Sequence, residues 1–258
     1  MTVKILVVDD SIVFRSAIST ALSEVSDYEV VKTASNGKLA VDYLNRDHNI
    51  DLVTLDMEMP VMDGIETIKE VRKFNRDVKI IVFSSLTTRG AEKTIEALSS
   101  GANDFVAKIE GKGTIDENVG MIRTELVPKI TALLSLKGSV VNNLKSSESN
   151  AQNVSESNSS ALNLKDIDNE ALSRPKLICI GSSTGGPDAL GKIFRKITVK
   201  PNIPMVIVQH MPPVFTTKLA SMLNDISVVT VKEAENGEVL RPGTCYVAPG
   251  DYHLQIVK

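Results

Sequence analysis

The nine residues Leu52-Val53-Thr54-Leu55-Asp56-Met57-Glu58-Met59-Pro60 constrain this chain more than any other stretch. Their first half is a short apolar run, as a buried strand requires, and Pro60 cannot extend it. The strand therefore ends in a carboxylate. Ile5-Leu6-Val7-Val8 repeats the arrangement upstream and leads into Asp9-Asp10. Open α/β sheets bind ligands in the crevice at the carboxyl ends of their strands. If the two strands are parallel neighbours, three carboxylates meet there, and they cannot all stay ionised at close range without a cation. Mg²⁺, a hard ion that prefers oxygen ligands, is the expected occupant of a site made by Asp9, Asp10 and Asp56.

The first half alternates strand and helix throughout. Strands are expected at residues 5–8, 28–33, 52–55, 79–83 and 105–107, with amphipathic helices between them. Thr87 or Thr88 opens one helix, and Gly101 closes it as C-cap. A last helix lies between residues 116 and 136, where Pro128 should kink or divide it. Such repetition predicts a doubly wound, flavodoxin-like parallel sheet with helices on both faces. Right-handed crossovers then bring Asp9, Asp10, Asp56, Ser84 and Lys108 to one edge. An acidic pocket that only binds a cation is the competing reading of this cluster.

Composition narrows the function classes. The chain has 258 residues and a formal net charge of −3, which argues against a nucleic-acid grip. Its two cysteines, Cys179 and Cys245, lack zinc-site spacing and suit a reducing compartment. No signal peptide precedes the first strand and no apolar run is long enough to cross a bilayer, so a cytoplasmic protein is expected, with no membrane insertion. Residues 139–174 turn polar, and residues 146–160 are Ser/Asn-rich with Val154 as their one large apolar group. They read as a flexible linker, with a short helix near residues 162–172. Three parts are expected: a domain over 1–138, the linker over 139–174 and a second α/β domain over 175–258.

That second domain opens on a further buried-strand run, Lys176-Leu177-Ile178-Cys179-Ile180. It leads into Gly181-Ser182-Ser183-Thr184-Gly185-Gly186, and Pro187 starts a helix. Residues 205–209 form the next strand, ending at His210. A helix over 215–223 and strands over 228–231, 244–247 and 253–257 follow. Gly181-Ser182-Ser183-Thr184-Gly185 fits G-x-S-x-G, a nucleophile elbow in its strand–turn–helix context. Ser183 would stand exposed as nucleophile, with the N–H of Thr184 and the helix N-terminus facing an oxyanion. His210 is placed to act as base if the two strands are parallel neighbours. A phosphate-binding loop and a turn without chemistry are the rivals. The first lacks a P-loop lysine and G-x-G-x-x-G spacing.

The first half resembles the receiver domain of two-component response regulators. The resemblance implies a phosphoacceptor at Asp56 and an acidic metal pair at Asp9 and Asp10, with the backbone carbonyl of Glu58 also on Mg²⁺. It further implies a hydroxyl switch residue at Ser84, an aromatic one at Phe105 and a phosphate-contacting lysine at Lys108. Ile109 follows that lysine where the family has proline. Ile180–Gly186, Gln209-His210-Met211-Pro212-Pro213 and Val247-Ala248-Pro249-Gly250-Asp251 resemble the catalytic domain of the CheB family of chemotaxis protein-glutamate methylesterases.

A receiver, a linker and this domain in this order imply the architecture of that family. They also imply its substrates, chemoreceptors, its phosphodonor, a histidine kinase, and ester chemistry needing no cofactor. Receptor glutamine deamidation would accompany it, and the unphosphorylated receiver would cover the active site. The family's triad carboxylate lies in a downstream Gly-rich motif with no match here, which implies an incomplete second, Rossmann-like domain. The alternative is therefore a catalytically dead phosphoacceptor and interaction module. A DNA-binding output is disfavoured, since no basic recognition helix follows the linker.

Overall fold

The computed structural model of the protein describes residues 2–47, 49–108, 115–142 and 175–257. Most of the expected linker, including its helix at 162–172, lies outside the described residues. The first sheet is built from β1 (Val3–Val8), β2 (Tyr28–Ala34), β3 (Leu52–Asp56), β4 (Lys79–Ser85) and β5 (Asp104–Lys108). Its order is β2-β1-β3-β4-β5 and every pairing is parallel. Between and after the strands run α1 (Ile12–Ser23), α2 (Gly37–Arg46), α3 (Gly64–Phe74), α4 (Thr88–Ser100) and α5 (Ile115–Asn142).

Strand alternation sends the apolar side chains to two cores. Ile5, Val7, Leu52, Ile81 and Val106 pack under Ile18 and Leu22 of α1 and Leu126 and Ile130 of α5. Leu6, Val8, Val53, Leu55, Ile80 and Val82 pack under Leu44 of α2, Ile68 of α3 and Leu98 of α4. All five β3 residues are buried, as the unbroken apolar run requires. Helix starts are fixed locally. Ser11 accepts from the Phe14 N–H, Asp63 and Glu66 form a capping box, and Thr87 caps α4, which ends on Gly101 at φ 117°.

A second parallel sheet, β6-β7-β9-β8, uses β6 (Ile178–Ser182), β7 (Met205–Gln209), β8 (Thr230–Glu233) and β9 (Thr244–Val247). Helices α6 (Gly186–Lys196) and α7 (Pro213–Asp225) supply Leu190, Phe194, Phe215, Leu219 and Leu223 to its core. That core is continuous with the first sheet's. The rings of Phe105 on β5 and Phe215 on α7 stack in near-parallel planes, 4.7 Å between centroids.

Four expectations need correction. β6 is not buried on both faces: Ile178 and Ile180 pack inward, whereas Cys179 is exposed, because α6 and α7 contribute to one face only. β8 starts two residues late, since the Ser227 hydroxyl bonds both N–H and C=O of Val229 and holds a turn there. Residues 253–257 form no strand; Ile256 and Val257 are exposed and pair with no neighbour among the described residues. Pro128 does not divide α5, which runs through it and is held by buried Leu126 and Ile130 on either side.

Thr54, fully buried at the middle of β3, has a hydroxyl without a hydrogen-bond partner. Replacing it with the nearly isosteric valine removes that desolvation cost. Thr54→Val is expected to stabilise the protein by about 1–2 kcal/mol in urea unfolding.

Candidate functional site

The first sheet edge assembles the expected acidic pocket. β1 and β3 are paired in register up to Val8 and Leu55, so the residues that follow, Asp9 and Asp56, emerge side by side. Oxygens of Asp9, Asp10 and Asp56 lie within 4.8 Å of one another. Asp9 and Asp56 are buried and Asp10 is exposed. Lys108 reaches in from β5, with Nζ 2.8 Å from Asp56 Oδ1 and 3.4 Å from Asp9 Oδ2, while lying 4.9 Å from the centre of the Phe14 ring.

Burial pushes the Asp9 carboxyl above the usual carboxylate range, against the pull of Lys108, and the Asp56 charge adds to the rise. Its buried Oδ2 meets Lys108 Nζ only at 3.4 Å, too long for a good hydrogen bond. Three convergent carboxylates with a buried oxygen so weakly partnered fit a hard divalent cation.

The remaining expected residues are placed differently from one another. The Glu58 N–H donates to Asp56 Oδ1 at 3.3 Å, while its carboxylate turns away to Lys93, which holds it below the usual range. Glu58 thus offers the pocket its backbone rather than its side chain. The buried Ser84 hydroxyl donates to the Gly90 carbonyl, not to Asp56. Phe105 is turned toward Phe215.

At the second sheet edge, Ser182 of β6 is the register partner of Gln209 of β7. Ser183 and His210 therefore leave adjacent parallel strands side by side, and the His210 N–H donates to the Ser182 carbonyl at 3.2 Å. Both side chains are exposed, and no hydrogen bond joins them among the described residues. Thr184 follows on the turn, Gly185 takes φ 70° as N-cap of α6, and Pro187 sits in that helix's first turn. Asp188 pairs with Lys192, and Asp225 closes α7; neither hydrogen bonds to His210.

Sequence reasoning missed two residues. Gln209, nearly buried, accepts from Ser182 Oγ at 2.6 Å and donates to the carbonyls of Ser183 at 3.0 Å and His210 at 3.3 Å. A Cβ on Gly186 would come within 2.0 Å of its Oε1, so the second glycine of the loop makes room for this amide. The other is Asp104 on β5, whose Oδ2 accepts from the Gly185 N–H across the two sheets at 3.2 Å. Gln209 ends β7 and belongs to the Gln209–Pro213 motif, which assigns its side chain no role. Asp104 carries no local signal, because its partner is 81 residues away.

A doubly wound sheet with an acidic pocket, joined to a second parallel sheet bearing an exposed serine turn, defines a response regulator with an enzymatic output domain. Residues 5–119 match the response regulator receiver domain, and residues 178–258 match the CheB methylesterase family. A protein-glutamate methylesterase/protein-glutamine glutaminase of a Nocardioides species is 40% identical over 255 residues, covering 98% of this chain and 67% of that protein. One from Trichodesmium erythraeum is 38% identical over 256 residues, covering 99% and 69%. The response regulator domain of Thermotoga maritima CheB, a solved structure, is 35% identical with a TM-score of 0.47, covering 52% of this chain and 98% of that one. The chain belongs to the CheB family of receiver-linked protein-glutamate methylesterases.

Two outcomes follow from this geometry. Burial raises the Asp9 carboxyl in the folded state, so its ionisation opposes folding, and the fold gains stability as pH falls through that window. Asp9→Asn is expected to raise the thermal midpoint at neutral pH, flatten its acid dependence and abolish Mg²⁺ binding, read by scanning calorimetry and by titration with the metal. Gln209→Leu leaves the Ser183 and His210 carbonyls without this donor. It should lower stability in urea unfolding by about 1 kcal/mol, the scale of one such hydrogen bond.

Proposed function

We propose that the chain is a phosphorylation-regulated chemotaxis methylesterase. It hydrolyses glutamate methyl esters on chemoreceptors and deamidates receptor glutamines. The observation that carries this is the register of β6 and β7, which sets Ser183 and His210 at neighbouring strand ends. In this reading His210 takes the Ser183 proton as Oγ attacks the ester carbonyl, and the Thr184 N–H with the α6 N-terminus faces the oxyanion. The imidazolium returns the proton to the departing methanol. Water, deprotonated by His210, then releases the glutamate carboxylate and frees Ser183. A glutamine side chain follows the same course, with ammonia leaving.

The receiver reading assigns Asp56 as the acceptor of a phosphoryl group from a histidine kinase. Asp9, Asp10, Asp56 and the Glu58 carbonyl would hold Mg²⁺, which when bound neutralises charge on the phosphoryl oxygens. Lys108, now paired with Asp56, is within reach of the same oxygens. The contact of Phe105 with Phe215 supports a receiver docked on the output domain until Asp56 is phosphorylated. Residues 1–138 as receiver, 139–174 as connector and 175–258 as catalytic part belong to this reading, although α5 itself continues to Asn142. No helix among the described residues is long and apolar enough to cross a membrane.

Methanol release from methylated receptor, measured with and without acetyl phosphate, tests the proposal. Ser183→Ala should reduce methanol release to the background of the uncatalysed reaction, and Asp56→Asn should abolish the stimulation by acetyl phosphate. Full activity in the alanine variant would remove Ser183 from the chemistry.

A further inference from the structure

Asp104 belongs to the receiver sheet, yet its carboxylate ends on the nucleophile loop. It is 2% exposed. Its Oδ1 accepts from the Phe105 N–H at 2.7 Å and from Lys129 Nζ of α5 at 3.3 Å; its Oδ2 accepts from the Gly185 N–H at 3.2 Å. Gly185, the N-cap of α6, lies two residues after Ser183, and a Cβ there would lie 3.3 Å from Leu133 of α5. The receiver thus presses β5 and α5 against the turn that carries the serine.

Packing alone does not call for an acid here. The stacked Phe105 and Phe215 rings supply apolar contact, and the Lys218–Glu92 pair at 2.6 Å spans the rim, where ion pairs contribute little. Burial pushes the Asp104 carboxyl up, opposed by Lys129 and the two backbone N–H groups. Lys129 reaches Oδ1 at 3.3 Å and shares the carboxylate's charge, while Oδ2 is the oxygen turned to the loop. A buried negative charge at the positive end of a helix satisfies that end. It also repels any second negative charge that develops beside it in the same low-dielectric site.

We propose that Asp104 is a positioning residue through which the receiver restrains the esterase site by charge as well as by cover. Its carboxylate holds the N-terminal end of α6 and opposes the oxyanion that would form when Ser183 attacks a substrate. This rests on the assignment of Ser183 as nucleophile. Undocking the receiver then withdraws a charge from the site in addition to opening it.

The test is the rate at which a fluorophosphonate labels Ser183 in the full chain; the serine oxygen bonds to phosphorus, fluoride leaves and the proton passes to His210. Asp104→Asn keeps an acceptor for the Gly185 N–H but removes the charge. Without phosphodonor it is expected to label up to about tenfold faster than the parent, the scale of one charge at a helix terminus. Small-angle scattering should find it as compact as the parent, and the gain should shrink after acetyl phosphate treatment. Asp104→Leu controls for loss of the hydrogen bond and should also label faster.

An asparagine variant that labels no faster than the parent while leucine does would overturn the charge argument in favour of a plain hydrogen-bonded latch. A variant that labels faster only because scattering shows it expanded would overturn it in favour of cover alone. A parent chain unlabelled in either state would remove the nucleophile assignment, and the inference with it. A labelled parent with two unchanged variants would remove the inference alone.

Discussion

The ammonium of Lys108 against the carboxylates of Asp56 and Asp9 is the contact on which the receiver half depends. Parallel strands with right-handed crossovers force their carboxyl ends to one edge, and β1 and β3 each deliver an acid there. Two buried carboxylates side by side cost free energy unless a cation faces them. Lys108, arriving from β5 beyond β4, supplies one such charge, but it stands 3.4 Å from the buried Asp9 Oδ2, so one ammonium is shared between two acids. The pocket is thus a place where the arrival of charge alters the balance of forces.

That edge is joined to the second sheet through β5. Lys108 at its end faces the acids, Phe105 stacks on Phe215, and Asp104 at its start bonds the loop before α6. Five residues therefore span the distance from the acidic pocket to the serine turn. An apolar core shared between the sheets makes the arrangement stiff, because close-packed side chains transmit displacement rather than absorb it.

The serine turn has its own internal brace. Gln209 and Gly186 are complementary: the amide fills the space a side chain at 186 would occupy, and it ties the carbonyls of Ser183 and His210 to one group. A glycine pair after the serine thus answers two separate needs. Gly185 adopts a positive φ, and Gly186 admits the neighbouring strand's amide.

Residues 52–60 and 5–10 announced the parallel sheet and its acidic edge, because strand burial and strand ends are local properties of the chain. The serine turn was equally visible as a glycine-flanked motif between a strand and a helix. What misled was also local. Residues 253–257 have a strand's composition and no partner, and residues 176–180 look buried on both faces although one face of β6 is open.

By itself, then, the sequence determined the succession of elements, the carboxylates at the strand ends and the exposed serine with its nearby imidazole. Only the tertiary structure decided that Glu58 turns its side chain to Lys93, that Ser84 bonds Gly90 and that Phe105 faces Phe215. It alone brought Asp104 to Gly185. The physical reason is that strands and turns follow from neighbours along the chain, whereas a side chain's partner is set by which elements pack against it, and that packing joins residues with no relation in sequence.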